Sequence, residues 1–136
     1  MVNVELSIPA QSAYVGVVRL AIGALARAAE LDEDIVDDLR IAVSEACTNS
    51  VLSHERSGVD ARVTVTWNEE PSRLLVEIVD EGAVYDPDGL DADDTQALLR
   101  LSMSVALLRS LMDGCEIGPR EGPGMATRFT VPRRTR

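Results

Sequence analysis

Five stretches alternate apolar and polar residues, three others show helical periodicity, and the order in which they occur leaves few folds open. Val2–Ile8 alternates, with Val4, Leu6 and Ile8 on one side, and Pro9 ends it. From Ala10 to Ala29 the positions Tyr14, Val17, Val18, Ile22, Leu25 and Ala29 recur at helical spacing. Asp32 is placed to N-cap a second helix running to about Ser53, with Asp34 in its first turn favouring the dipole. A loop with Gly58 follows, and His54 is expected to sit on a loop at the end of this helix. Arg62–Trp67 and Leu74–Val79 alternate again around a turn at Asn68–Ser72, which predicts an antiparallel hairpin. After a loop from Asp80 to Asp94, Gln96–Met112 forms a third helix with Leu98, Leu101, Val105, Leu108 and Met112 on one face. Gly114–Gly118 and Met125–Val131 are two more strands. The pattern predicts an α+β two-layer sandwich, a mainly antiparallel sheet of about five strands with three helices on one face. With 136 residues, no linker and no repeat, residues 1–136 are expected to form one domain.

The 46% apolar content is too high for a disordered chain. No apolar run approaches the ~20 residues that span a bilayer, and no export signal opens the chain, so a soluble cytoplasmic protein is expected. Cys47 and Cys115 match no zinc or redox spacing and read as small buried apolar residues. The formal net charge is −10, and all 13 bases are arginine. Acids concentrate in 30–38 and in 86–94, the second run including Asp86, Asp88, Asp91, Asp93 and Asp94. Such a surface repels nucleic acid and anionic lipid and steers a basic protein partner, although solubility alone also accounts for it. The locally basic tail, Arg133-Arg134-Thr135-Arg136, reads as a frayed terminus.

Three places carry chemistry. In Ile41–Leu52 the only strongly polar side chains are Glu45 and Asn49, one turn apart on one helical face. A carboxylate beside a carboxamide oxygen suits Mg²⁺, or an acid/base group next to one metal ligand; a solvated pair on a buried helix is the plainer reading. Val76–Val79 runs into Asp80-Glu81-Gly82, where a strand-end carboxylate can accept from an exocyclic amine such as that of adenine, although Asp-x-Gly is also a common turn. The third is Gly122–Phe129, a hairpin turn entering the last strand with Thr127 in it.

Taken in this order the pieces resemble the GHKL (Bergerat-fold) ATPases, and within them the anti-sigma factor and serine-protein kinase branch of the RsbW and SpoIIAB type. The resemblance covers nearly the whole chain. Glu45-Ala46-Cys47-Thr48-Asn49 resembles the branch's N-box, which implies that Glu45 is a catalytic base and Asn49 a Mg²⁺ ligand. Asp80 and Gly82, continued by Tyr85-Asp86-Pro87, resemble the adenine-binding box, and Thr127 stands where the family places an adenine-holding threonine. The implied function is sequestration of an alternative sigma factor, with release by an anti-anti-sigma (STAS) protein through ATP-dependent serine phosphorylation, in a homodimer. The alternative is a degenerate module that binds a STAS regulator without kinase activity.

The chain also departs from the family. Val84 replaces a second glycine, Ser53 stands where relatives have histidine, and His54 is one place off. Relatives open the third helix with Gly-x-Gly-Leu, whose bare N–H groups and dipole cradle phosphates; here the motif is Ser102-Met103-Ser104-Val105. Serine adds a Cβ and a hydroxyl, and the acidic run at 86–94 occupies the lid position. The resemblance therefore implies ATP and Mg²⁺ as cofactors, with Ser102 and Ser104 in the phosphate subsite and an affinity that is weakened or lost.

Overall fold

The structure, a computed structural model, describes residues 2–90 and 95–133. Strand β1 (Asn3–Pro9) leads through a 3₁₀ turn at Ser12–Tyr14 into α1 (Val15–Ala28) and α2 (Glu33–Ser57). The hairpin β2 (Arg62–Glu69) and β3 (Arg73–Val79) follows, then α3 (Gln96–Leu111), β4 (Cys115–Pro119) and β5 (Met125–Pro132). The sheet order is β1-β2-β3-β5-β4 and every pairing is antiparallel. The expected two-layer α+β sandwich is thus what forms.

Alternation decides which face of the sheet is covered. Val63, Val65 and Trp67 of β2, Leu74, Val76 and Ile78 of β3, and Phe129 and Val131 of β5 are all buried. They meet Val18, Ile22 and Ala26 of α1 and Val36, Leu39 and Val43 of α2 in one apolar core. Pairing of β3 with β5 sets Val76 opposite Phe129 and Ile78 opposite Thr127, which carries the end of β3 to the start of β5.

Two expectations about the helices need correction. The first helix begins at Val15 rather than Ala10, and it buries Val15, Val18, Ile22, Gly23 and Ala26 while Tyr14 and Val17 stay exposed. Almost every residue from Val15 to Ala26 is apolar, so periodicity alone does not select the inner stripe. Packing selects it through the small residues: a Cβ on Gly23 would already lie 3.2 Å from Cδ of Arg40 on α2. The second helix runs one turn past Ser53 and closes in a Schellman motif at Gly58 (φ 65°), where Val59 N–H reaches the His54 carbonyl at 3.0 Å. His54 therefore lies inside α2 and is buried, not on a loop.

Candidate functional site

Asp80 follows the last residue of β3 and is 6% exposed. Its Oδ1 accepts from the N–H groups of Gly82 (3.0 Å) and Met125 (3.1 Å), and its Oδ2 accepts from the Ser50 hydroxyl on α2 (2.8 Å). The backbone closes the same corner, because Asp80 N–H donates to the Met125 carbonyl at 3.0 Å. Two glycines permit this closeness. A Cβ on Gly124 (φ +100°) would collide with the Asp80 carbonyl oxygen, and one on Gly82 with the Ser53 side chain. The Ser53 side chain is thus the surface on which the Asp-x-Gly turn rests. Thr127 is half-buried opposite Ile78, on the helix-facing side and two residues from Met125.

His54 supports the corner from the next turn of α2. Its Nε2 accepts from Glu81 N–H at 2.9 Å and its Nδ1 lies 3.1 Å from the Ala61 carbonyl, so the bonding pattern assigns the proton to Nδ1. In the sequence His54 reads as a loop residue and Ser50 by itself carries no mark of a role. Their signal was present, since Ala46, Ser50 and His54 recur every four residues along the buried side of α2.

The other expected residues gather where α2 meets α3. Asn49 Nδ2 donates to Ser104 Oγ at 2.7 Å, across 55 residues of sequence. Ser104 is 3% exposed and Ser102 half-buried. Both lie well inside α3, which begins at Gln96 with Thr95 Oγ1 accepting from Leu98 N–H at 3.1 Å. Glu45 is half-buried, makes no hydrogen bond or ion pair among the described residues, and lines a groove of about 580 Å³ with Leu99, Arg100, Met103, Ser104 and Leu107.

The loop after Asp80 is held against the same helix. Asp86 Oδ1 accepts from Asp88 N–H at 2.9 Å, and Asp88 pairs with Arg109 of α3 at 2.9 Å. Tyr85 is half-buried; burial, reinforced by the Asp80 carboxylate, pushes its hydroxyl up to about 12. Asp91, Asp93 and Asp94 of the expected acidic lid lie outside the described residues.

The two ends of this arrangement fit a nucleotide differently. A carboxylate offers about four acceptor positions and Asp80 uses three, so one remains for an amine donor beside the bare Gly82 backbone. The phosphate end does not fit a Mg²⁺-triphosphate. In an α-helix each N–H bonds to the carbonyl four residues back, so the N–H groups of Ser102 and Ser104 face Leu98 and Arg100 rather than a ligand. Asn49 is tied to Ser104 through Nδ2 only, which leaves its amide oxygen unengaged.

A family model described as the histidine kinase-like ATPase domain matches residues 8–131. The chain is 30% identical over 131 residues to the serine-protein kinase RsbW of Bacillus subtilis (strain 168), covering 90% of this chain and 82% of that protein. It is 31% identical over 137 residues to the protein of the same name from Bacillus pumilus, covering 93% of this chain and 85% of the relative. Among solved structures, one holding the RsbU and RsbW domains of a Mycobacterium tuberculosis protein superposes over 100% of this chain and 34% of that chain, with a TM-score of 0.71 at 16% identity. The histidine kinase domain of a blue-light activated kinase from Erythrobacter litoralis superposes over 92% of this chain and 61% of its own, with a TM-score of 0.55 at 18% identity. At those identities the likeness to the solved structures concerns the fold, whereas the family match and the sequence relatives settle membership: the chain belongs to the histidine kinase-like ATPase domain family, in its RsbW branch.

Proposed function

We propose that this protein sequesters an alternative sigma factor and is displaced from it by an anti-anti-sigma protein of the STAS type. The observation that carries the proposal is the likeness to RsbW kinases along 90% of the chain. The unbroken helix at Ser102–Ser104, whose N–H groups are spent inside α3, then favours displacement by competition over displacement by phosphate transfer. A net charge of −10 suits a partner with a basic surface. On the same reading the protein works in the cytoplasm as a homodimer built on β1, an edge strand, and on α1, which exposes Val17 (55%) and Leu20 (72%). Among the described residues no helix is long and apolar enough to cross a membrane. Capture of a purified alternative sigma factor, followed by an in vitro transcription assay, is the test. Binding with loss of sigma-dependent transcripts is expected; neither effect at micromolar protein overturns the proposal.

A second reading, serine kinase activity on the STAS partner, is favoured by one feature: the Glu45 carboxylate is unengaged and faces an open groove, as a general base requires. On that reading Asn49 ligates Mg²⁺. Transfer of labelled phosphate from ATP to a STAS protein, abolished by Glu45→Ala, supports it; absence of transfer leaves a binding protein.

A further inference from the structure

The Asp80 corner occupies one end of β3, and a recess opens at the other. It measures about 660 Å³, within the range of small-molecule sites, and lies where the first turns of α2 pass the end of α3 and the β2–β3 turn. Strand β3 spans Arg73–Val79 between the recess and the Asp80 corner, which sets the two about 20 Å apart. We infer that this recess is a ligand site for a small organic cation, a protonated amine carried on a flat apolar body. Nothing in it depends on the family reading of the Asp80 corner or on the proposed partners.

The walls of the recess are apolar and its unengaged charges are of one sign. Ile35, Leu111, Met112 and Val131 line it. Met112 and Val131 belong to the buried core and Ile35 and Leu111 pack against it, so core packing holds the shape. Asp38 of α2 and Asp113, just beyond α3, also line the recess, and neither carboxylate has a hydrogen bond or ion pair among the described residues. Arg73, the one cation among the described lining residues, is spent on Glu70 at 2.6 Å. Helix α3 ends at Leu111, so the negative end of its dipole adds to the two carboxylates. Beside apolar walls such charges are less screened than in open water, so an amine is drawn in and a carboxylate or phosphate is repelled. Met112 brings a polarizable thioether, which suits an aromatic ring. A concave recess of this size takes a compact molecule, whereas a protein partner needs a broader surface.

Tryptamine, tryptophol and indolepropionate share one apolar body and end in a positive, a neutral and a negative group. Titrating each into the isotope-labelled full chain, followed by NMR, tests the assignment. Tryptamine is expected to shift the amide signals of Asp113, Gly114 and Thr130 while those of Gly82 and Met125 stay in place. It is expected to bind at least about fivefold more tightly than tryptophol, and indolepropionate not to bind. Asp38→Asn and Asp113→Asn should each weaken tryptamine about threefold or more and leave tryptophol unchanged, with urea midpoints confirming that both variants are folded. Equal affinities for tryptamine and tryptophol overturn the inference, as does a failure of tryptamine to bind at millimolar concentration. Shifts confined to the Asp80 corner, or two variants that bind tryptamine like wild type, overturn it too. So does a leucine-rich peptide carrying one arginine that binds at these residues when tryptamine does not, since that outcome gives the recess to a protein partner.

Discussion

The Asp80 end and the Ser104 end of the site are built from different structural materials. At Asp80 a single carboxylate gathers two backbone N–H groups and a hydroxyl, between glycines that admit no larger residue. At Ser104 the polar groups come from side chains on two packed helices, and the backbone there is an ordinary helical turn. The first arrangement fixes atoms by chain geometry and tolerates almost no substitution. The second is set by side-chain choice, so one hydroxyl or one Cβ changes its contacts. A fold can therefore keep the Asp80 corner while the Ser104 end drifts, because the two ends answer to different constraints.

The sharpest way to break this contrast is Gly124→Ala. A Cβ at φ +100° meets the Asp80 carbonyl oxygen, so we expect either no folded protein or a loss of more than about 3 kcal/mol in denaturant unfolding. A loss under about 1 kcal/mol means the corner is soft. Next, His54→Leu leaves the Glu81 N–H and the Ala61 carbonyl without their partner; we expect a loss of about 2 kcal/mol. The same substitution should also increase hydrogen exchange at Glu81 and Gly82.

Alkaline pH probes the loop between the two ends. The Tyr85 hydroxyl is raised from its usual 10.0 to about 12 in the folded chain, so its contribution is present below pH 10 and is lost as pH rises towards 12. Tyr85→Phe is expected to flatten the fall in stability across that window, measured as urea midpoints against pH. The smallest effect is expected at Arg109→Ala. Its ion pair with Asp88 is exposed, so unfolding should cost less than about 1 kcal/mol more or less, while the Asp86–Asp88 segment gains mobility by NMR.

The strands and the sheet layer were legible because alternation at Arg62–Trp67 and Leu74–Val79 has one interpretation once one face must be buried. The inner stripe of α1 was not, because a helix that is apolar almost all round gives no phase; Gly23 and Ala26 lie inward because only small residues let α2 approach. The extension of α2 to Ser57 was encoded in Gly58, a left-handed C′ residue that reads as a loop unless the preceding helix is already known. Asp80, Gly82 and Asn49 stood out by type and spacing. Ser50 and His54 did not, since their role depends on which turn of α2 faces the end of β3. The sequence also placed Gln96–Met112 in one helix, and it is that continuity that puts Ser102 and Ser104 mid-helix rather than at a phosphate-binding N-terminus.

Amide hydrogen exchange at Ser102, Met103 and Ser104, measured with and without Mg-ATP, tests this contrast most directly. Protected amides in both conditions, with exchange unchanged by the nucleotide, are what a continuous α3 predicts. Fast exchange in the free protein that slows when Mg-ATP is added would contradict it, by showing a phosphate cradle that forms on the ligand.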